Sequence, residues 1–430
     1  MSDSPAMRRQ TELECTSEIT RYQRDWFKTV HARVADGEPF AVLSADSPHE
    51  IYRAMDIPYV VVQWWSSVIA AKQLGPTFLQ SLADAGYPDN HDQYNSLGLG
   101  ELLANEPEIA PWGGLPRPTF LQAALATDGL RDVYDAWAYH SGAILFPFER
   151  TVDIRNEPPE NWWDELPRNW NTFLPRARLD VLEQDLTDLI ELLESKTGRR
   201  FSDDRLAEVM QLANEQAEFN LATRDLVAKT RPAPVSATET MPAVMIPQWH
   251  RGSVWARDAA ARLSAEVSHR VETGKAVCPS ESVRLMWIGR GLWSSLGLYQ
   301  WFQEHHDAVF VWSMYLGLAA DGYARYVGDG DPVRALASRF VPMGEELRMP
   351  TWSSAWHLKE ALLHQVDGVV SLGEDDYFSV KRLEAAGIPV LSIKADNVDR
   401  RTWAEEELIE IIGTFIEERA RPAARRRHHD

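Results

Sequence analysis

The chain has two cysteines in 430 residues, Cys15 and Cys278. A four-iron cluster held by protein takes several thiolates, typically four, or three with an exogenous ligand. Two thiols far apart in sequence exclude a cluster of the chain's own, so no cofactor bound by this chain and no metal site are expected. No Cys/His spacing of a zinc site occurs, and the histidines His49, His91, His305, His306, His357 and His364 form no H-E-x-x-H. Basic charge is short as well. Lys and Arg number 44 against 64 Asp and Glu, a net charge of −20, which argues against a nucleic-acid partner. No apolar window of about 18 residues is present, so no membrane span is expected. Met1 to Gln10 is polar and lacks the apolar core of a secretion signal. With two unpaired thiols, this points to the cytoplasm. Missing too are a full dinucleotide fingerprint, a Walker-type phosphate loop and a G-x-S-x-G elbow.

What is present is an ordinary globular composition, 44% hydrophobic and 25% charged, with length for two to three domains. A charged and aromatic helix occupies residues 1–35 as an N-terminal arm. Residues 39–44 and 57–62 are apolar runs of strand length around a helix at His49 to Met55, a βαβ-like unit that implies a parallel sheet. Residues 141–148 are strand-like and lead into a Pro- and Trp-rich loop to Trp170. Leu179, Leu182, Leu186, Leu189, Ile190 and Leu193 mark one face of a helix ending at Gly198. Ser202 caps the next, and the two read as an αα-hairpin. Strand and helix patterns then alternate from Ser282 to Glu418. The expected fold is therefore α/β: two doubly wound, Rossmann- or flavodoxin-like lobes at 36–170 and 276–418, with a helical insert at 171–275. A basic tail at 419–430 is expected to be disordered.

In open parallel sheets ligands bind beyond the carboxyl ends of strands, where strand order reverses. That rule selects Ser44 to Glu50, Gln63 to Ser67, Gly289 to Trp293, Ser371 to Tyr377 and Asp396 to Arg400. Ser44 and Ser47 lie on the first of these turns. Gly289, Arg290 and Gly291 form either a plain tight turn or a contact for a ligand phosphate or carboxylate at a helix start. Glu374, Asp375 and Asp376 are either an acid/base or metal-binding group, or a solvated helix cap. Trp64, Trp65 and Trp287 hint at a bulky or aromatic ligand.

Residues 284–312, 331–340, 366–372 and 387–418, with the opening segment 37–62 and the helical segment 194–216, resemble the 2-hydroxyacyl-CoA dehydratase and benzoyl-CoA reductase family, the D-component in particular. Pro48-His49-Glu50 resembles its proline-x-glutamate helix start. The resemblance implies two α/β lobes, a homologous second subunit in a heterodimer or heterotetramer, and a coenzyme A thioester as substrate. In such enzymes an ATP-driven activator passes an electron to an iron–sulfur cluster beside the thioester. The family's first cluster cysteine falls, in this alignment, on Asp92, in a segment running through Tyr94 to Gly100. A carboxylate is a poor exchange for a soft thiolate. The expected function is a cluster-free acyl-CoA lyase subunit, with Asp92, Glu374 and Asp375 as catalytic groups. Ser44, Ser47, Glu50, Trp64, Tyr94, Gly289, Arg290 and Gly291 are the expected substrate contacts. The alternative is a non-catalytic subunit that completes the partner's site.

Overall fold

Continuous apolar strands, buried on both faces, are the signature of parallel sheets sandwiched by helices. The structure, a computed structural model, has two such sheets and describes residues 13–124, 127–148, 160–328, 330–341, 350–373 and 377–427. The arm is α1 (Glu14–Ala35). The first lobe follows as β1 (Ala41–Leu43), α2 (His49–Ala54), β2 (Tyr59–Val61), α3 (Val62–Ala71), α4 (Gly75–Asp84), α5 (Gln93–Ala104), β3 (Phe120–Ala124), α6 (Asp128–Ser141) and β4 (Ile144–Phe148). A helical insert holds α7 (Trp162–Phe173), α8 (Arg176–Thr197), α9 (Asp203–Lys229), α10 (Ala237–Trp249) and α11 (Val254–Thr273). The second lobe begins with β5 (Val283–Ile288), α12 (Gly297–His306), β6 (Ala308–Ser313), α13 (Met314–Asp321), α14 (Pro332–Ala337) and α15 (Pro350–Leu363). It closes with β7 (Gly368–Leu372), α16 (Tyr377–Ala385), β8 (Val390–Ile393), α17 (Glu405–Phe415) and α18 (Arg421–Arg427).

Both sheets are parallel and share one topology, β2-β1-β3-β4 in the first lobe and β6-β5-β7-β8 in the second. Val42 pairs with Val60 on one side and Leu121 on the other, and Met286 with Trp312 and Val369. Strand order reverses at β1 and at β5, so the turns after these strands are the expected ligand positions. Helix α5 seats closely because Gly100 stands where any Cβ would come within 2.2 Å of the Phe78 carbonyl oxygen on α4.

Four local expectations are revised. The Pro- and Trp-rich loop, over its described part, is the helix α7, which carries Pro167 inside and is anchored by the buried Trp162, Leu166 and Trp170. Helices α8 and α9 do not form a hairpin. Instead α9 pairs along α11 and α8 packs on α14, because each has its own apolar stripe to cover. The glycine turn after β5 does not open a helix directly: a 3-10 turn at Trp293–Ser295 intervenes before α12, so no helix terminus stands behind Arg290. The basic tail is helical to Arg427, held by Arg421 on Glu417 at 2.7 Å and Arg427 on Asp367 at 3.2 Å.

Candidate functional site

A cavity of about 70 Å³ lies where the carboxyl ends of the two sheets face each other. The first lobe contributes Ala45 and Asp46 from the turn after β1, Gln63 from α3 and Tyr94 from α5. The second contributes Arg290 after β5, Met314, Tyr315 and Leu318 from α13, and Tyr323 beyond it. Helix α10 closes the side with Val244, Met245, Gln248 and Trp249. The wall is mostly apolar, with a few convergent polar groups, the usual make-up of a small-molecule site.

The polar groups are held from behind. Ser44 Oγ donates to Asp46 and stands 3.1 Å from Ser47 Oγ, which donates to the Gln122 carbonyl at 3.0 Å. Gln63 Oε1 accepts from the Ala45 N–H at 2.8 Å, and its Nε2 donates to Asn95 Oδ1 at 2.8 Å. Asn95 Nδ2 in turn donates to both carboxylate oxygens of Asp92, at 2.8 and 2.9 Å. The Arg290 guanidinium lies over the Tyr94 ring, 4.6 Å from its centroid, joining the two lobes across the cavity. The Arg290 backbone turns on Gly289, whose φ of +102° suits only glycine. Tyr315 Oη accepts from the Gly291 N–H at 3.0 Å.

The structure thus gathers Tyr94 and Arg290 on the cavity wall and sets Ser44, Ser47, Gly289 and Gly291 behind it. It takes other expected residues elsewhere. Asp92 caps α5 in a left-handed conformation, its carboxylate engaged by Asn95, one residue pair removed from the wall. Trp64 is stacked on Trp112 beside Phe27 in the core under α1, and Trp287 packs on Tyr299 and Phe310. The aromatic wall is instead Trp249, Tyr94, Tyr315 and Tyr323. Glu50 is fully buried and accepts from Arg251 at 2.7 Å and Arg339 at 2.6 Å. Those two cations hold its carboxyl below the ordinary range against the opposing effect of burial. Glu374 and Asp375, with Asp376, lie outside the described residues. Asp46 lies within the first of the switch-point turns with no motif of its own, and Tyr323 carries no motif that would mark it.

A second buried charge group ties α9, α13 and α15 together. Arg224 donates to Glu360 at 2.6 Å and Asp321 at 3.2 Å, Lys359 reaches both, and the Trp312 and Trp356 indoles donate to them at 2.6 and 2.8 Å. Burial pushes Asp321 up, while Lys359 and Arg224 hold Glu360 down to about 2 against its burial. Its charges balance two against two, and it serves as a tie between helices.

The donor set does not suit a cluster on this chain. Cys15 is buried on α1, its thiol pushed up to about 12, by burial first and by Glu266 next. Cys278 lies near Asp307, 3.8 Å from its carboxylate. Neither lines the cavity, whose sulfurs are the thioethers of Met245 and Met314 and whose remaining polar groups are carboxylate, amide, phenol, indole and guanidinium; it offers none of the thiolates that hold an iron–sulfur cluster. Among the described residues, no group of three His, Cys, Asp or Glu side chains could hold a metal ion. No described helix is long and apolar enough to cross a membrane.

Two parallel-sheet lobes with a small, mostly apolar cavity between their carboxyl edges define an α/β scaffold with its cavity where such folds bind ligands. Residues 45–418 match the family described as 2-hydroxyglutaryl-CoA dehydratase, D-component, and the chain belongs to that family, whose members are subunits of heteromeric dehydratases acting on CoA thioesters. It is also 22% identical over 381 residues to the (R)-phenyllactyl-CoA dehydratase alpha subunit of Clostridium sporogenes, covering 86% of this chain and 87% of that one.

Proposed function

We propose that this chain is the acyl-binding, cluster-free subunit of a heteromeric hydro-lyase, working beside a homologous partner on a CoA thioester. The observation that carries the reading is the cavity at the paired sheet edges, apolar over most of its wall and holding one half-buried carboxylate, Asp46. An apolar acyl chain fits the Val244, Met245, Met314 and Leu318 side, and Arg290 faces an anionic group of the ligand. A thioester acidifies the C–H beside its carbonyl. In a 3-hydroxyacyl thioester a carboxylate placed there takes that proton, the electron pair forms the C=C bond, and the hydroxyl on the next carbon leaves as water with the proton that the carboxyl group returns. Asp46, which lines the cavity and accepts from Ser44 at one oxygen, fills that role better than Asp92, which does not line it and has both oxygens engaged by Asn95.

The test is turnover of 3-hydroxyacyl-CoA thioesters by the complex isolated with its partner, read as enoyl thioester formed, with 2-hydroxyacyl-CoA thioesters, whose β C–H the carbonyl does not acidify, run beside them as the control for this step. Asp46→Asn is expected to lower turnover about 100-fold. Turnover unchanged in that variant favours the second reading, a subunit that completes the partner's site without chemistry of its own.

A further inference from the structure

The floor of the cavity holds a phenol whose surroundings are unlike those of the other tyrosines on the wall. Tyr323 is 8% exposed, and no described residue hydrogen-bonds its hydroxyl. The Tyr315 hydroxyl, by contrast, is engaged by the Gly291 N–H. The Tyr323 ring has two cations on it: the Arg251 guanidinium at 4.8 Å and that of Arg339 at 5.4 Å from its centroid. Unlike the sealed, unpartnered hydroxyl of Tyr52, the Tyr323 oxygen keeps accessible surface on the cavity wall, so its O–H is open to an acceptor there.

The backbone around Tyr323 is fixed with unusual completeness. Its carbonyl accepts from Arg339 at 3.0 Å. Two residues on, Arg325 exchanges backbone bonds with the Asn214 side chain, at 2.8 and 2.9 Å, and its guanidinium donates to Ser338 Oγ at 3.0 Å and to the Ala324 carbonyl at 2.6 Å. The donor is therefore preorganised: it needs no rearrangement to meet a ligand. Burial keeps the proton on the oxygen, while Arg251 and Arg339 act in the opposite sense and make the O–H a stronger donor.

We infer that the Tyr323 hydroxyl is the hydrogen-bond donor for the carbonyl oxygen of the bound thioester, and that the Arg251–Arg339 pair behind the ring sets the positive field in which that oxygen gains charge. The inference rests on the acyl-CoA reading of the cavity. It adds the group that would stabilise an enolate while Asp46, from the opposite lobe, takes the proton. A tyrosine in this position also requires the ligand to present an acceptor beside its apolar chain.

The experiment is a two-by-two comparison in the intact complex, with butanoyl-CoA and S-butyl-CoA, a thioether without the carbonyl, as probes and binding measured by calorimetry. The wild type is expected to bind the thioester about fivefold more tightly than the thioether, and Tyr323→Phe to remove that difference while leaving the thioether within twofold of its wild-type affinity. Equal wild-type affinity for both probes overturns the inference without need of the variant, and so does a preference that persists in Tyr323→Phe. Failure of the wild type to bind either probe overturns the acyl-CoA reading itself, and this inference with it.

Discussion

Glu101 sits near the carboxyl end of α5, the helix whose opposite end presents Tyr94 to the cavity. It is buried and receives two donors, the Trp65 indole from α3 and the Leu115 N–H at 2.7 Å. Burial pushes its carboxyl up to about 7, against the pull of those two donors. Between about pH 4.5 and 7 the folded protein therefore keeps a proton that the unfolded chain has released, and stability falls as pH rises through that window. The full change amounts to roughly 3 kcal/mol. In Glu101→Gln this slope is expected to vanish from urea midpoints measured between pH 5 and 8, at the cost of a lower plateau in acid because one of the two donors loses its acceptor. A slope of unchanged size in the variant would assign the titration to another group. Such a side chain shows how little a sequence says about charge. Glu101 is one of 64 acids, and only the packing of Trp65 and the approach of Gly114 make it unusual.

At the scale of elements, one tie between the lobes is a carboxylate shared by two guanidiniums. Glu50 belongs to α2 in the first lobe, Arg251 follows α10 in the insert, and Arg339 follows α14 in the second lobe. Removing the shared charge leaves two buried cations facing each other, and Glu50→Gln is expected to cost about 3–5 kcal/mol. Adding Arg339→Met should recover part of that loss in the same denaturation measurement. A loss under 1 kcal/mol for the single variant would mean the lobes are held by their other contacts, such as Gln73 on the Ser294 carbonyl and Arg401 on Asp89. Most strands are readable because parallel strands are short continuous apolar runs, and the loops beyond them follow from topology; β3 is not, because Gln122 interrupts its short apolar run. What stayed hidden depends on contact across long separations. The capped Ser236–Glu239 start of α10 is a helix signal, but Pro242 and Pro247 inside that helix obscure its course. The cavity wall joins α10 to turns some 200 residues before it. Trp64 and Trp249 are alike in sequence, and only the fold puts one under α1 and the other on the wall.

For the whole molecule, the scarcity of cysteine acquires a location. The scaffold of a thioester dehydratase subunit is intact from residue 45 to 418, with both sheets, the reversal turns and a cavity between them. The thiols stand apart from that cavity, and Asp92 holds a helix cap and, through Asn95 and Gln63, the turn that carries Asp46. Asp92, the residue that the sequence resemblance sets at a cluster-cysteine position, is here part of the frame that holds the turn carrying Asp46. If that exchange is what the molecule uses, iron and acid-labile sulfide in the complex belong to the partner chain or to neither. Separating the subunits under anaerobic conditions and assaying each for iron is the decisive measurement. The expected result is no stoichiometric iron on this chain, together with Asp92→Cys failing to recruit any, since one added thiolate beside Asn95 leaves the site far short of the set a cluster takes. Asp92→Asn, which keeps the cap but removes the charge, should lower turnover modestly, about threefold, through a loosened Gln63, whereas a loss as large as that of Asp46→Asn would restore Asp92 to the chemistry itself.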